Sequence, residues 1–221
     1  MFKDSCHHLP QLLALLQSRN PGTIIDIDDY QDANGDRVLM RAFWSFGCMI
    51  EAFKHCRPVL CVDGTILIGM YKGQLLTCIG VDANDKVVPI AFAFVESENA
   101  ESWLWFLSLI KRAVVCERPN VCVLHDRHKR IFSAVKKLQE GRNVDVSWTN
   151  LHSRWCMRHM GANFYSKFRS KRLEDLFKKM CKQNQRCKFD EIWAPLDKLT
   201  RSHIVAEPPK VTGPGCSDLC C

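Results

Sequence analysis

Pro58-Val-Leu-Cys-Val-Asp63-Gly64-Thr65 and Asn120-Val-Cys-Val-Leu-His-Asp126-Arg-His-Lys129 are the two stretches that decide the fold. Each is a short apolar run that finishes on a carboxylate. Runs of this length and composition read as buried β-strands. Two strands that end on acids can hold two carboxylates side by side at a sheet edge, and such a pair suits a divalent metal. The plainer reading is that Asp starts turns and caps helices, and for either aspartate alone it is the commoner one. The surrounding pattern shifts the balance.

Between the two runs, Gln74–Asp82 and Val87–Val95 predict a second and a third strand around a turn at Ala83–Lys86. Pro89 predicts that the third has an edge position or a bulge near its start. Ser97-Glu-Asn-Ala-Glu-Ser-Trp103 opens a helix capped by Ser97 or Asn99, with Trp103, Phe106, Leu107 and Ile110 as its buried stripe. The run before Asp126 is the fourth strand, Ile131–Leu138 a helix and Val144–Trp148 a weak fifth strand. Upstream, a short helix carries Leu9, Leu12, Leu13 and Leu16 on one face. Strands at Thr23–Tyr30 and Arg37–Trp44 flank an Asn34-Gly35 hairpin signal, and Phe46–Phe53 is helical. Strands in hairpin succession followed by helix, strand and helix make an α/β layer with a mixed sheet. In the ribonuclease-H-like arrangement the first and fourth core strands are neighbours, which brings Asp63 and Asp126 within reach of the same ions. The organisation expected is an N-terminal helix and hairpin extension over 1–52, the ribonuclease-H-like core over 53–150, a basic helical segment over 151–204, and a disordered tail over 205–221.

Composition narrows the class. The 221 residues are 47% hydrophobic, enough for a real core, and no run of about 18 uncharged apolar residues suggests a membrane span. The first residues lack the apolar region of a secretory signal, so an intracellular protein is expected. Thirteen cysteines, scattered and odd in number, argue against a disulfide framework. Cys48, Cys61, Cys78 and Cys122 lie in apolar runs and read as small buried hydrophobes. Of the net charge of +7, Leu151–Arg201 carries 13 Lys and Arg against 5 acids, or +8; the remainder has 18 against 19, or −1. A basic third beside a neutral body points to a polyanion partner, and a solvated helix face is the even alternative.

Several motifs then coincide. Phe53-Lys-His-Cys-Arg-Pro-Val-Leu-Cys-Val-Asp63-Gly-Thr65 and Tyr71-Lys-Gly-Gln-Leu-Leu-Thr-Cys-Ile-Gly-Val-Asp-Ala-Asn84 resemble the opening of the transposase domain of Mutator-like elements, the plant MULE transposases. Pro89–Glu98 with Ser102-Trp-Leu-Trp-Phe106 is similar to the next family block. His125-Asp-Arg-His-Lys129 resembles the segment of the second catalytic aspartate, and Cys156-Met-Arg-His159 with Asn163-Phe164 resembles the family's Cys-x-x-His signature. The resemblance spans roughly residues 9 to 200 in the family's order.

It implies a ribonuclease-H-like fold, an Asp-Asp-Glu triad, and magnesium or manganese in a two-metal site. Asp63 would be the first acid and Asp126 the second. The third is expected near Arg186-Cys-Lys-Phe-Asp-Glu-Ile-Trp193, where Lys188 stands at the position of a frequent family glutamate; Glu191 is the candidate and Asp190 its substitute. Arg130 replaces the glycine usual after the Asp-Arg-x-Lys run. The implied activity is DNA cleavage and strand transfer, with a catalytically inactive, domesticated or truncated DNA-binding descendant as the alternative. The implied partner is DNA, at terminal inverted repeats in the ancestral role, and the implied location is the nucleus; a homo-oligomer is compatible and a membrane is not.

Cys156 and His159 share a helix face and would pack near the site. Zinc, completed by Cys181 and Cys187, is the lesser reading. Lys167, Arg169, Lys171 and Arg172 are the candidates for phosphate contacts. Of the tryptophans able to stack on bases, Trp103, Trp105, Trp148, Trp155 and Trp193, most are expected in the core.

Overall fold

The computed structural model describes residues 9–35, 37–68, 73–142 and 144–206, with side chains to residue 202. Two compact units make up the chain, Met1–Cys156 and Met157–Cys221. The tail expected over 205–221 lies almost wholly outside the described residues.

The first unit runs α1 (Leu9–Arg19), β1 (Ile24–Gln31), β2 (Arg37–Ser45), α2 (Gly47–His55), β3 (Val59–Leu67), β4 (Gly73–Val81), β5 (Val87–Val95), α3 (Ala100–Ile110), β6 (Cys122–His125), α4 (Lys129–Glu140) and β7 (His152–Trp155). A π-helical stretch, Lys111–Val115, prolongs α3. The strands form one mixed sheet of seven in the order β1-β2-β5-β4-β3-β6-β7. β3, β4 and β5 are antiparallel neighbours, while β6 and β7 add in parallel beside β3. This is the α/β, ribonuclease-H-like arrangement that the order of elements predicts.

Alternation along the strands sorts the two sheet faces. Leu60 and Val62 of β3 and Leu76, Cys78 and Gly80 of β4 point into the core with Phe43, Phe53 and the α3 stripe. Trp103, Phe106, Leu107 and Ile110 are all buried there, as the stripe predicts. Phe106 meets both Phe43 and Trp103 edge-on, at 6.0 Å between centroids in each case. The other face is only half-buried and carries Trp44 stacked on Phe92 at 5.7 Å.

Local chemistry sets the element ends. Asn99, rather than Ser97, caps α3 by accepting from the Glu101 and Ser102 amides. Gly141, left-handed at φ 63°, ends α4. Pro89 sits in an inner strand, tolerated because a bulge there sets Ile79 opposite Pro89 and Cys78 opposite Ala91.

Three expectations change. Val144–Trp148 is not a strand: the last strand is His152–Trp155, and Trp148 is buried in the core instead. In α1 only Leu13 is buried, and Leu12 is 51% exposed. Cys48 is exposed and Cys61 and Cys122 half-buried, while Cys56 and Cys78 are buried; all are free thiols. Burial pushes the Cys78 thiol far above its ordinary pKa, which leaves it inert.

Gly47, the first residue of α2, rests on the Pro21-Gly22 backbone. A Cβ there would overlap the Pro21 carbonyl oxygen and stand 2.9 Å from the Gly22 carbonyl carbon. Backbone cannot give way as a side chain can, so Gly47→Ala should destabilise the chain by about 1–3 kcal/mol, the usual cost of overpacking. Urea unfolding measures this directly, and an unchanged midpoint would show that α2 is not seated on that turn.

The second unit is a three-helix assembly of α5 (Met157–Phe168), α6 (Lys171–Cys181) and α7 (Arg186–Ala206). Its own small core holds Phe168, Leu173, Phe177, Met180 and Leu196, with Phe164 stacked on Phe177 at 4.8 Å. Glu174 is buried and carries two lysine partners, Lys171 and Lys178. Among the described residues no helix is long and apolar enough to cross a membrane.

Candidate active site

Asp63 lies in the middle of β3, and β6 stops one residue short of Asp126. The first strand therefore does not finish on its carboxylate. It runs on to Leu67, because Thr65 and Ile66 are good strand formers and keep pairing with β4 as far as Gly73.

The parallel pairing sets Val59 opposite Cys122, Leu60 opposite Val123 and Cys61 opposite Leu124. Continuing that register by two residues puts Asp63 level with Asp126, both on the face of Cys61 and Leu124. Neighbouring strands run about 4.8 Å apart, so carboxylates level on adjacent strands can reach one ion. The pairing of β6 with β3 runs as far as Leu124, and β6 ends at His125.

Backbone amides hold both carboxylates. Gly64 N–H donates to Asp63 Oδ1 at 3.0 Å, and Arg127 N–H donates to Asp126 Oδ1 at 2.6 Å. His125, with no exposed surface, anchors the second aspartate from behind. Its Nδ1 is 2.6 Å from the Asp126 carbonyl oxygen and its Nε2 is 2.7 Å from Ser153 Oγ on β7. A carbonyl only accepts, so Nδ1 carries the proton and the Ser153 hydroxyl donates to Nε2. Burial lowers the pKa of this imidazole below its ordinary value, which favours the neutral ring that this pairing needs.

Magnesium takes oxygen ligands, keeps several waters, and is commonly held by one or two carboxylates. The Asp63–Asp126 pair fits that donor set. As they stand, no three His, Cys, Asp or Glu side chains among the described residues gather closely enough to hold a metal.

The remaining candidates belong to other elements. Glu191 and Asp190 lie on α7, in the second unit, and Asp190 pairs with Arg186 one turn earlier at 2.9 Å. Cys156 closes the first unit just after β7, its amide donating to the His125 carbonyl at 2.8 Å, whereas His159 belongs to α5 of the second. Cys181 and Cys187 are exposed. Arg130 does not crowd the aspartates: its guanidinium donates to the Glu98 carbonyl at 2.6 Å and ties the start of α4 to the turn before α3. His128 caps α4, its Nδ1 accepting from the Arg130 amide at 3.4 Å.

The basic cluster surrounds the α5–α6 junction. Lys167 lies over the Phe168 ring at 5.5 Å, and Arg169 ends α5 with a left-handed φ of 50°. Lys171 is shared between Glu174 at 2.9 Å and Asp175 at 3.5 Å, and Arg172 is exposed. Of the tryptophans, Trp103 and Trp148 are buried and Trp105 partly so, while Trp155 and Trp193 are each 49% exposed.

Glu98 escaped the sequence reading. Its carboxylate packs against Gly64 and accepts from the Trp103 indole N–H at 3.0 Å. In the sequence it closes the Pro89–Glu98 block and stands beside the Asn99 cap, where it passes for part of a helix start.

A family model of the MULE transposase domain matches residues 59–163, the stretch that contains β3 to β7 and both aspartates. Among curated proteins, Protein FAR1-RELATED SEQUENCE 6 of Arabidopsis thaliana is 22% identical over 129 residues. That match covers 58% of this chain and 17% of the relative, so the chain corresponds to a small part of that protein. Residues 59–163 are thus similar to the MULE transposase domain, over just under half of the chain.

Proposed function

We propose that this chain binds DNA in the nucleus and that its first unit keeps the divalent-ion site of a metal-dependent DNA cleavage and strand-transfer enzyme. The observation that carries this reading is the parallel β3–β6 register, which, continued by two residues, sets Asp63 level with Asp126. Magnesium or manganese bound there would supply Lewis-acid stabilisation of a phosphoryl oxygen and an activated water or hydroxyl. Asp63 and Asp126 would fix the ion, and His125 would hold the Asp126 backbone in place. DNA contact falls to Lys167, Arg169 and Arg172, with Lys171 as a weaker contributor because two acids already engage it.

A second reading, DNA binding without strand chemistry, is favoured by Lys188, which the resemblance sets at a frequent family glutamate, and by the pairing of Asp190 with Arg186. Both readings require a DNA-binding surface, which is tested by duplex affinity across a salt series. Counterion release gives a log–log slope of about −0.9 for each phosphate contacted. The variant Lys167→Gln, Arg169→Asn, Lys171→Gln, Arg172→Gln removes the charges, and Asn suits the left-handed conformation at 169. It should weaken binding and make the slope shallower by about 3. An unaltered affinity and slope would reduce this region to a solvated surface.

A further inference from the structure

α4 is the last helix of the first unit, and its two sides differ in kind. Ile131, Ala134, Val135 and Leu138 are buried in the core. The outward side carries Lys129, Phe132 and Lys136, spaced three and four residues apart and therefore on one helix face, and all three are exposed. Between Asp126 and Glu140 the sequence has five cations, Arg127, Lys129, Arg130, Lys136 and Lys137, and no acid. Arg130 is used by the Glu98 carbonyl, and Lys136 reaches Glu140 at 3.7 Å. Among the described residues no ion pair engages Arg127, Lys129 or Lys137. Acids elsewhere offset this local excess, which is why the chain outside Leu151–Arg201 sums to only −1.

A solvated helix face accounts for the lysines but not for the rings beside them. Phe132 is 51% exposed in the middle of the row, and Trp155 is 49% exposed. Trp155 is the register partner of His125. Alternation sets His125 with Val123, which lies in the core with Ile131 and Ala134, so Trp155 is on the sheet face that α4 covers. β6 ends at His125, and Arg127 and His128 lead from there into α4. Trp155, the last residue of the edge strand β7, thus stands at the end of the sheet where α4 begins.

Rings set among cations match a polyanion that offers flat faces beside its charges. A duplex stacks its base faces on one another and shows only base edges in its grooves. An unpaired strand leaves the faces open. We propose that this end of the first unit binds an unpaired nucleic-acid strand, with Phe132 and Trp155 stacking on bases and Arg127, Lys129 and Lys136 lying along phosphates. The proposal rests on the reading above for nucleic acid as the partner; it adds the form of the strand and a surface on the first unit. Arg127 directly follows Asp126, so this surface begins beside the proposed ion site.

The test is the affinity of the full chain, across a salt series, for a labelled oligo-dT of about 12 nucleotides and for a duplex of the same length. Phe132→Ala and Trp155→Ala should each weaken oligo-dT binding about tenfold, with the salt slope and the duplex affinity of the parent. Lys129→Gln combined with Lys136→Gln should instead make the oligo-dT slope shallower by about 1.4, at about 0.7 for each phosphate on a single strand. Both rings are half-exposed, and Phe132→Ala decides the matter if Trp155→Ala folds poorly. A folded aromatic variant that binds oligo-dT as the parent does overturns the inference. Equal losses for oligo-dT and duplex overturn it too, since they mark a general DNA surface. In both cases persisting duplex binding leaves the DNA-binding reading standing, whereas a parent chain that binds neither probe overturns both.

Discussion

Trp103→Ala should cost the first unit about 3–5 kcal/mol, the range for deleting a buried large aromatic side chain. Trp103 is 1% exposed and sits at the centre of the core, edge-on to Phe106, which in turn meets Phe43 on the sheet. Its removal empties a volume that the surrounding α3 and β-strand residues cannot refill without moving. It also takes away the indole donor of Glu98, leaving a carboxylate oxygen facing the core edge. Domains of this kind have about 5–15 kcal/mol of total stability, so the variant should unfold at a much lower denaturant concentration or fail to accumulate. Phe132→Ala is the control, because Phe132 is already half-exposed and should change the midpoint little. A loss of less than about 1 kcal/mol for Trp103→Ala would contradict the packing described here.

Elements whose residues face a core showed themselves in the sequence through periodicity. The α3 stripe of Trp103, Phe106, Leu107 and Ile110 and the strand runs around Asp63 and Asp126 follow from spacing alone, since burial imposes it. Where pairing partners decide the outcome, the local pattern was silent. His152-Ser-Arg-Trp155 has no strand signature, and it becomes β7 because β6 offers a free parallel edge. Val144–Trp148 has the better alternation, yet Trp148 is spent on the core. Similarly, β3 continues past Asp63 because β4 returns alongside it.

The two aspartates were legible as acids on apolar runs, but their common level depends on a register that no single run contains. Glu98 was hidden for the same reason. Its neighbours in sequence belong to a helix cap, and its neighbours in space, Gly64 and Arg130, belong to β3 and α4.

The second large effect concerns the ion itself. Asp63→Asn and Asp126→Asn each replace a charged oxygen ligand with a neutral amide at the same position. If both aspartates serve one ion, either change should lower Mn2+ affinity on the order of a hundredfold or more, beyond the range for an outer-shell partner. The double variant should be little worse than either single one, because groups that act on one site are not additive. Neither substitution touches the buried core, so folding should persist and the comparison stays interpretable. The decisive measurement is the Mn2+ titration of the full chain against Asp63→Asn, Asp126→Asn and the double variant. The parent should bind Mn2+, each single variant should lose that binding, and the double variant should add nothing further. Mn2+ binding that survives in either single variant at the parent's affinity would contradict a shared site between β3 and β6.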